Sequence, residues 1–278
     1  MKNIFKNGIS SNMLKTIAII AMVIDHIAFY FSPFIPIIVY RICRYIGRIA
    51  MPIFTYLIVQ GFFHTKSFRK YVLRLSIFSV ITQILITVLM IINIKYVPGY
   101  TAAKQVYVNG NILITFVLSL GELKIIHEKQ IIKKWDLNKN IFVRLLLGIM
   151  LGLLIILLPL DYSQEVLVLS VLLYYIEKLR IQVLMSKQNS SLNIKNIAAK
   201  GISYEKINVI YISLIFLALL SLVIYFNARF TLLFAVLPIA IYSHERGKCN
   251  NFVKYMYYIL FPLNHVLLYS LALIIMLT

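Results

Sequence analysis

The residues whose side chains could take part in a reaction lie on the first apolar stretch of the chain. Residues 14–31 read LKTIAIIAMVIDHIAFYF, in which Lys15, Asp25 and His26 interrupt a run of apolar side chains. Lys15 and His26 are eleven residues apart, which at about 100° per residue places them on nearly the same helix face, with a rise of about 16 Å between them. Histidine changes charge near neutral pH and can act as a general base or acid. His26 and Asp25 are therefore the candidate catalytic residues.

Two interpretations of this pair stay open. An ionisable side chain within a membrane span is costly unless it is paired or hydrated, and such residues mark functional sites. Asp25 is rotated by about 100° from His26 around the helix, so we expect its partner to be a side chain of another helix or the amine of a substrate. The structural alternative is that both residues merely tie neighbouring helices together by hydrogen bonds.

Three arginines follow in the next segment, YRICRYIGRIAMPIF at residues 40–54. Arg41, Arg44 and Arg48 have i, i+3, i+7 spacing, which aligns them on one stripe of a helix. A guanidinium group suits phosphate because it forms paired hydrogen bonds. Arg44 and Arg48 are therefore candidate phosphate contacts, whereas snorkelling to lipid headgroups explains Arg41 equally well.

A second basic group follows in GFFHTKSFRKYVLRL at residues 61–75. Lys66, Arg69 and Lys70 could bind the phosphates of an anionic ligand together with Lys15. The alternative is a cytoplasmic loop that is basic only because such loops accumulate lysine and arginine.

Other polar residues are candidates for substrate contact. Asp161 and Tyr162 lie between two apolar segments, where a simple turn is the alternative, and His265 lies within or near the last one. His244 lies at a basic segment end and is expected to be solvated. The chain has neither an HExxH motif nor a cysteine and histidine cluster with metal-ligand spacing, so no metal site is predicted.

These residues are embedded in an unusually apolar chain. Of its 278 residues, 61% are hydrophobic and 13% charged, with a mean hydropathy of +0.88. These values lie outside the range of soluble domains and exclude a disordered chain. We expect one all-α domain over 1–278, an integral membrane bundle of about nine transmembrane helices. The predicted segments lie near 13–31, 34–63, 71–94, 111–127, 141–160, 164–184, 207–226, 228–243 and 253–277.

The positive charge has a membrane explanation. The chain has 28 lysines and arginines against nine acidic residues, a formal net charge of +19. Alternate loops are rich in these cations, which predicts a cytoplasmic N-terminus in a multi-pass membrane protein. No zinc-finger spacing or other nucleic-acid motif is present, so a nucleic-acid partner is not expected. The expected surroundings are the lipid bilayer.

Several motifs together point to a family. The run from residue 14 to 31 is followed by YIGRIAMPIFTYLIVQGFFHTKSFRKYVLRLSIFSVITQI, and later by NGNILITFVLSLG, LDYSQEVLVL and KYMYYILFPLNHVLLY. This succession resembles the TraX family of membrane proteins, which acetylate the N-terminus of F-type pilin and are related to transmembrane acyltransferases. The resemblance implies acetyl-CoA as the donor, His26 as the catalytic residue and a peptide or pilin-like acceptor.

The sequence leaves other functions open. Within the enzyme class, the acceptor could instead be a cell-surface glycan that is O-acetylated. A transporter would use Asp25 and His26 to relay protons, and an assembly factor for pili or secretion would need no catalysis. Turnover of labelled acetyl-CoA separates the enzyme from the other two.

Overall fold

The protein is a bundle of helices. The computed structural model describes residues 8–96, 110–128, 137–187, 207–226, 230–244 and 251–277, and all regular elements within these ranges are helical. The α-helices are α1 (Ser11–Tyr30), α2 (Ile37–Gly47), α3 (Ala50–His64), α4 (Phe68–Tyr96), α5 (Ile112–His127), α6 (Leu137–Leu157), α7 (Ser163–Lys187), α8 (Ile207–Tyr225), α9 (Val236–Ala240) and α10 (Asn251–Leu277). A 3₁₀ helix, Phe230–Ala235, precedes α9. The all-α prediction is confirmed.

The predicted number of spans is not confirmed. Each of the nine predicted segments is helical, but in the described part of the chain five stretches are long and apolar enough to cross a membrane. They are Ser11–Tyr30, Ile37–His64, Phe68–Leu89, Lys139–Leu157 and Tyr255–Met276. Helix α5 has 16 residues, fewer than the roughly 20 that a span needs. Helix α7 is long enough but carries charged residues near its middle.

The second predicted segment, 34–63, is divided into two helices close to Pro52. Helix α2 ends at Gly47 and α3 begins at Ala50, so that Pro52 lies in the first turn of α3. Proline is tolerated there because the first amide groups of a helix have no partner within it. The break lets α2 lie against α1 while α3 enters the centre of the bundle.

The core is built around α1, α3, α5, α7 and α8. Leu14, Ile53, Leu120, Leu169 and Leu222 are fully buried in one apolar cluster. The exposed faces of the helices are also apolar, most clearly on α6. Such faces are expected on surfaces that meet lipid. The cytoplasmic position of the N-terminus was predicted from the lysines in the loops, and most of these lysines lie outside the described residues.

Helices α1 and α2 approach each other closely at Gly47. This glycine is buried at the end of α2, and a methyl group added to it would overlap the Asp25 side chain of α1. The absence of a side chain at Gly47 is thus a condition for the contact between the two helices.

We expect Gly47→Ala to lower the stability of the protein by about 1–3 kcal/mol, because the added methyl group must push α1 and α2 apart. Thermal unfolding in detergent, followed by circular dichroism at 222 nm, measures the change. Gly152→Ala on α6 is the matched control, because a methyl group there would come no closer than 3.9 Å to Leu167. Equal melting temperatures for wild type and Gly47→Ala would contradict the assigned close approach.

Candidate functional site

His26 lies at a junction of α1 and α10. Its Nδ1 atom is hydrogen-bonded to the side-chain amide of Asn264, and its ring centroid lies 4.3 Å from that of His265. The Nδ1 atom of His265 is in turn 2.7 Å from the hydroxyl of Tyr30. His265 is 6% exposed and His26 is half-buried. Two imidazoles, an amide and a phenol therefore form a polar centre between apolar helices.

Asp25 has a partner on a neighbouring helix. Its Oδ2 atom accepts a hydrogen bond from Arg44 Nη1 at 2.6 Å, and both side chains are largely buried. The Arg44 guanidinium also lies over the ring of Phe29, 5.4 Å from its centroid. An ion pair in a low-dielectric bundle holds both side chains in fixed positions. The carboxylate of Asp25 therefore fixes α2 against α1, one residue before His26.

A cavity of about 570 Å³ opens at one end of the bundle. Its mouth is lined by cations of α1 and of the α3 to α4 region, and its interior by apolar and aromatic side chains. We call Lys15, Lys66, Lys70 and Arg74 the cationic mouth. The inner end is lined by Met22 of α1, Phe54 of α3 and Phe261 of α10. The cavity thus offers charge to an anion at one end and an apolar channel beyond it.

The inner end of the cavity approaches His26. Met22 precedes His26 by one helical turn on α1, and the Phe261 ring lies 6.4 Å from that of His26. His26 itself is separated from the cavity by these side chains.

The other predicted contacts lie elsewhere. Arg44, Arg48 and Arg69 do not line the cavity. Arg48 lies over the ring of Tyr162, 5.3 Å from its centroid, and the Asp161 carbonyl accepts a hydrogen bond from Thr115. The described cavity gives no support to the three arginines as phosphate contacts, and the roles of all these residues stay predictions.

The comparisons with known proteins decide the family. A family model described as TraX protein matches residues 10–272, nearly the whole chain. The chain belongs to the TraX family. The family and the five apolar helices of spanning length together indicate a bacterial membrane protein. No solved structure matches this TraX family member.

Two relatives match shorter stretches of this family member. Over 74 residues it is 42% identical to the probable fimbrial assembly protein FimC, serogroup H1, of Dichelobacter nodosus. Over 78 residues it is 41% identical to an uncharacterised protein of Rickettsia prowazekii. The matched stretches cover 27% and 28% of this chain, and 30% and 27% of the relatives.

Sequence reasoning missed a polar network at the side of the cavity. Glu177 is 1% exposed; it accepts hydrogen bonds from Arg180 at 2.8 Å and from the Tyr211 hydroxyl at 2.7 Å. Arg180 also donates to His244 Nδ1 at 2.9 Å, so His244 is bound within the protein rather than merely solvated. Glutamate and arginine inside an apolar segment were the available signal. Among the described residues, no three or more His, Cys, Asp or Glu side chains are grouped as a metal site would require.

The Asp25 ion pair can be tested by charge removal in this TraX family member. We expect Arg44→Gln to destabilise the protein by about 3–5 kcal/mol, because it leaves a buried carboxylate without its partner. The double variant Asp25→Asn/Arg44→Gln should recover much of this loss. Chemical unfolding in detergent measures the wild type, Arg44→Gln, Asp25→Asn and the double variant. If the two single losses simply added in the double variant, the two side chains would not interact.

Proposed function

We propose that this protein is a membrane acetyltransferase, which transfers acetyl from cytosolic acetyl-CoA to the amine of a peptide or pilin-like acceptor. One observation carries the proposal: a cavity with a cationic mouth and an apolar interior ends within one helical turn of a histidine of the polar centre. Family membership adds to it, because the residues that the family model matches, 10–272, include His26.

The donor would bind from the cationic mouth inwards. Its phosphates would lie against Lys15, Lys66, Lys70 and Arg74 of the cationic mouth, since lysine and arginine both form charge-assisted hydrogen bonds with phosphate. The uncharged arm of the donor would follow the apolar channel towards Met22 and Phe261. On the orientation we predict, this mouth faces the cytosol, where acetyl-CoA is present.

His26 would act as the general base. The Asn264 atom next to His26 Nδ1 is the amide nitrogen; with this amide turned by 180°, its oxygen accepts the Nδ1 proton of His26 and the lone pair on Nε2 is free to act as a base. The acceptor nitrogen attacks the thioester carbon, a carbon–nitrogen bond forms, and the carbon–sulfur bond breaks. The proton lost by the nitrogen passes to His26 Nε2, from which it can reach the departing thiolate. Closure of the site by helices would limit hydrolysis of the thioester.

The name of one relative and the residues near His26 suggest the acceptor. One relative is named as a probable fimbrial assembly protein, and fimbriae are polymers of pilin, so a pilin-like N-terminus is the acceptor that we propose. His265 lies against His26 and could contact the acceptor. Asp161 and Tyr162 lie in the turn that precedes α7 and are retained as proposed contacts for the rest of the acceptor chain.

The same relative favours one alternative, an assembly factor that catalyses nothing. An assembly factor would bind subunits without consuming acetyl-CoA, so the two functions differ in a single measurement. Purified protein incubated with radioactive acetyl-CoA and a pilin-like acceptor peptide should label the peptide and release free coenzyme A thiol if it is the enzyme, whereas an assembly factor should do neither above background.

We expect His26→Ala to lower acetyl transfer by a factor of about 100 or more, as the loss of a general base does. Membranes that contain the protein and a pilin-like acceptor peptide are supplied with radioactive acetyl-CoA, and label bound to peptide is counted. Binding of coenzyme A by the variant is the control for folding and should stay within about twofold of wild type. Transfer at the wild-type rate would exclude His26 from the mechanism.

We expect Lys66→Gln/Lys70→Gln to weaken coenzyme A binding roughly tenfold, or about 1.4 kcal/mol, because two cations at the mouth are lost. The wild-type affinity should also fall as salt is raised. Arg48→Gln is the matched variant outside the cavity and should bind as wild type. Isothermal titration in detergent measures these affinities. A weaker affinity in Arg48→Gln alone would move the phosphate site away from the cationic mouth.

A further inference from the structure

One amide in the wall of the cavity lacks a partner. Gln60 of α3 is 4% exposed and lines the cavity. Its Oε1 atom is 3.2 Å from His64 Nε2, whereas its buried Nε2 atom, which can donate, has no hydrogen-bond partner among the described residues. A buried polar group without a partner is costly, so the free end of Gln60 points to a ligand in the cavity.

A second donor lies in the same wall. His244 lines the cavity, and its Nδ1 atom accepts a hydrogen bond from Arg180. Because a guanidinium group can only donate, Nδ1 carries the lone pair and the ring proton is on Nε2. Burial, and after it the Arg180 charge, lowers the pKa of His244 well below its ordinary range, which keeps the ring neutral. The same Nη1 atom of Arg180 also donates a hydrogen bond to Glu177, which fixes the position of the guanidinium group.

Gln60 lies between the ends of the cavity. Gln60 precedes Lys66 of the cationic mouth by six residues and follows Phe54 at the inner end by six. A ligand that reaches from the mouth to the inner end must therefore pass Gln60. The group that it presents there must accept hydrogen bonds and carry no charge, since the nearby charges of Glu177 and Arg180 already neutralise each other.

The pantetheine arm of coenzyme A has this chemistry, because it joins the phosphates to the thiol through two amide groups. We propose that Gln60 and His244 form a subsite for the amide carbonyl groups of the pantetheine arm of an acyl-thioester donor. This inference rests on the proposed function and extends it: the donor is selected along its arm as well as by its phosphates.

The test compares two ligands that share phosphates and differ in the arm. Coenzyme A and adenosine 3′,5′-bisphosphate are titrated into the purified protein in detergent. We expect Gln60→Leu, which keeps the bulk and removes the amide, to raise the Kd for coenzyme A roughly tenfold while the Kd for the bisphosphate changes less than about twofold. His244→Phe, which keeps a ring and removes the N–H group, should act in the same direction.

Ser119→Ala is the matched control. The Ser119 hydroxyl is also buried without a hydrogen-bond partner, but it lies on α5 and does not line the cavity. Both Kd values should stay at the wild-type level in this variant. If Gln60→Leu does not fold, Gln60→Met removes the same amide with a more flexible side chain.

The possible results are distinct. An unchanged Kd for coenzyme A in Gln60→Leu, or an equal loss for both ligands, would overturn the arm subsite and leave the proposed function standing. If the wild-type protein bound neither ligand, the proposed function would fail, and the subsite with it.

Discussion

The rest of the structure depends on the contact between α1 and α2, where an ion pair is enclosed in an apolar bundle. Asp25 and Arg44 lie 2.6 Å apart, and they meet because Gly47 has no side chain to separate the helices. A buried charge without its partner would destabilise the bundle. The pair thus fixes the rotation of α1 about its axis, and this rotation directs the adjacent His26 towards Asn264 and His265 of α10.

How far the sequence alone could predict this arrangement depends on the range of each contact. The helices follow from apolar runs, and Lys15 and His26 share a face because helical periodicity acts within one segment. Asn264 is 238 residues from His26, and no local pattern predicts that contact. The same holds for His244, which sequence position predicts to be solvated but which Arg180 binds across 64 residues. The span count was not confirmed because α5 is short and α7 holds charges that the bundle pairs internally.

Ion pairing also determines what the cavity can admit. The Glu177 and Arg180 charges are satisfied by each other and by Tyr211, so they add little net field to the neighbouring cavity. The cations of the mouth, in contrast, line an opening to solvent. The binding free energy of an anion is therefore most favourable at the mouth, because deeper inside the anion would lose its hydration. An uncharged chain can continue inwards without this cost.

The change from a charged mouth to an uncharged interior would determine the direction in which the proposed donor binds. A donor whose charges are confined to one end binds in only one direction, with its reactive end towards His26. The acceptor must then arrive from the side where His265 and Tyr30 lie, because the donor fills the other approach. A histidine placed between two such approaches can take a proton from one substrate and deliver it to the other without a connected water path. The separation of a charged mouth from a neutral polar centre would thus allow the proposed acyl transfer in the interior of the bundle.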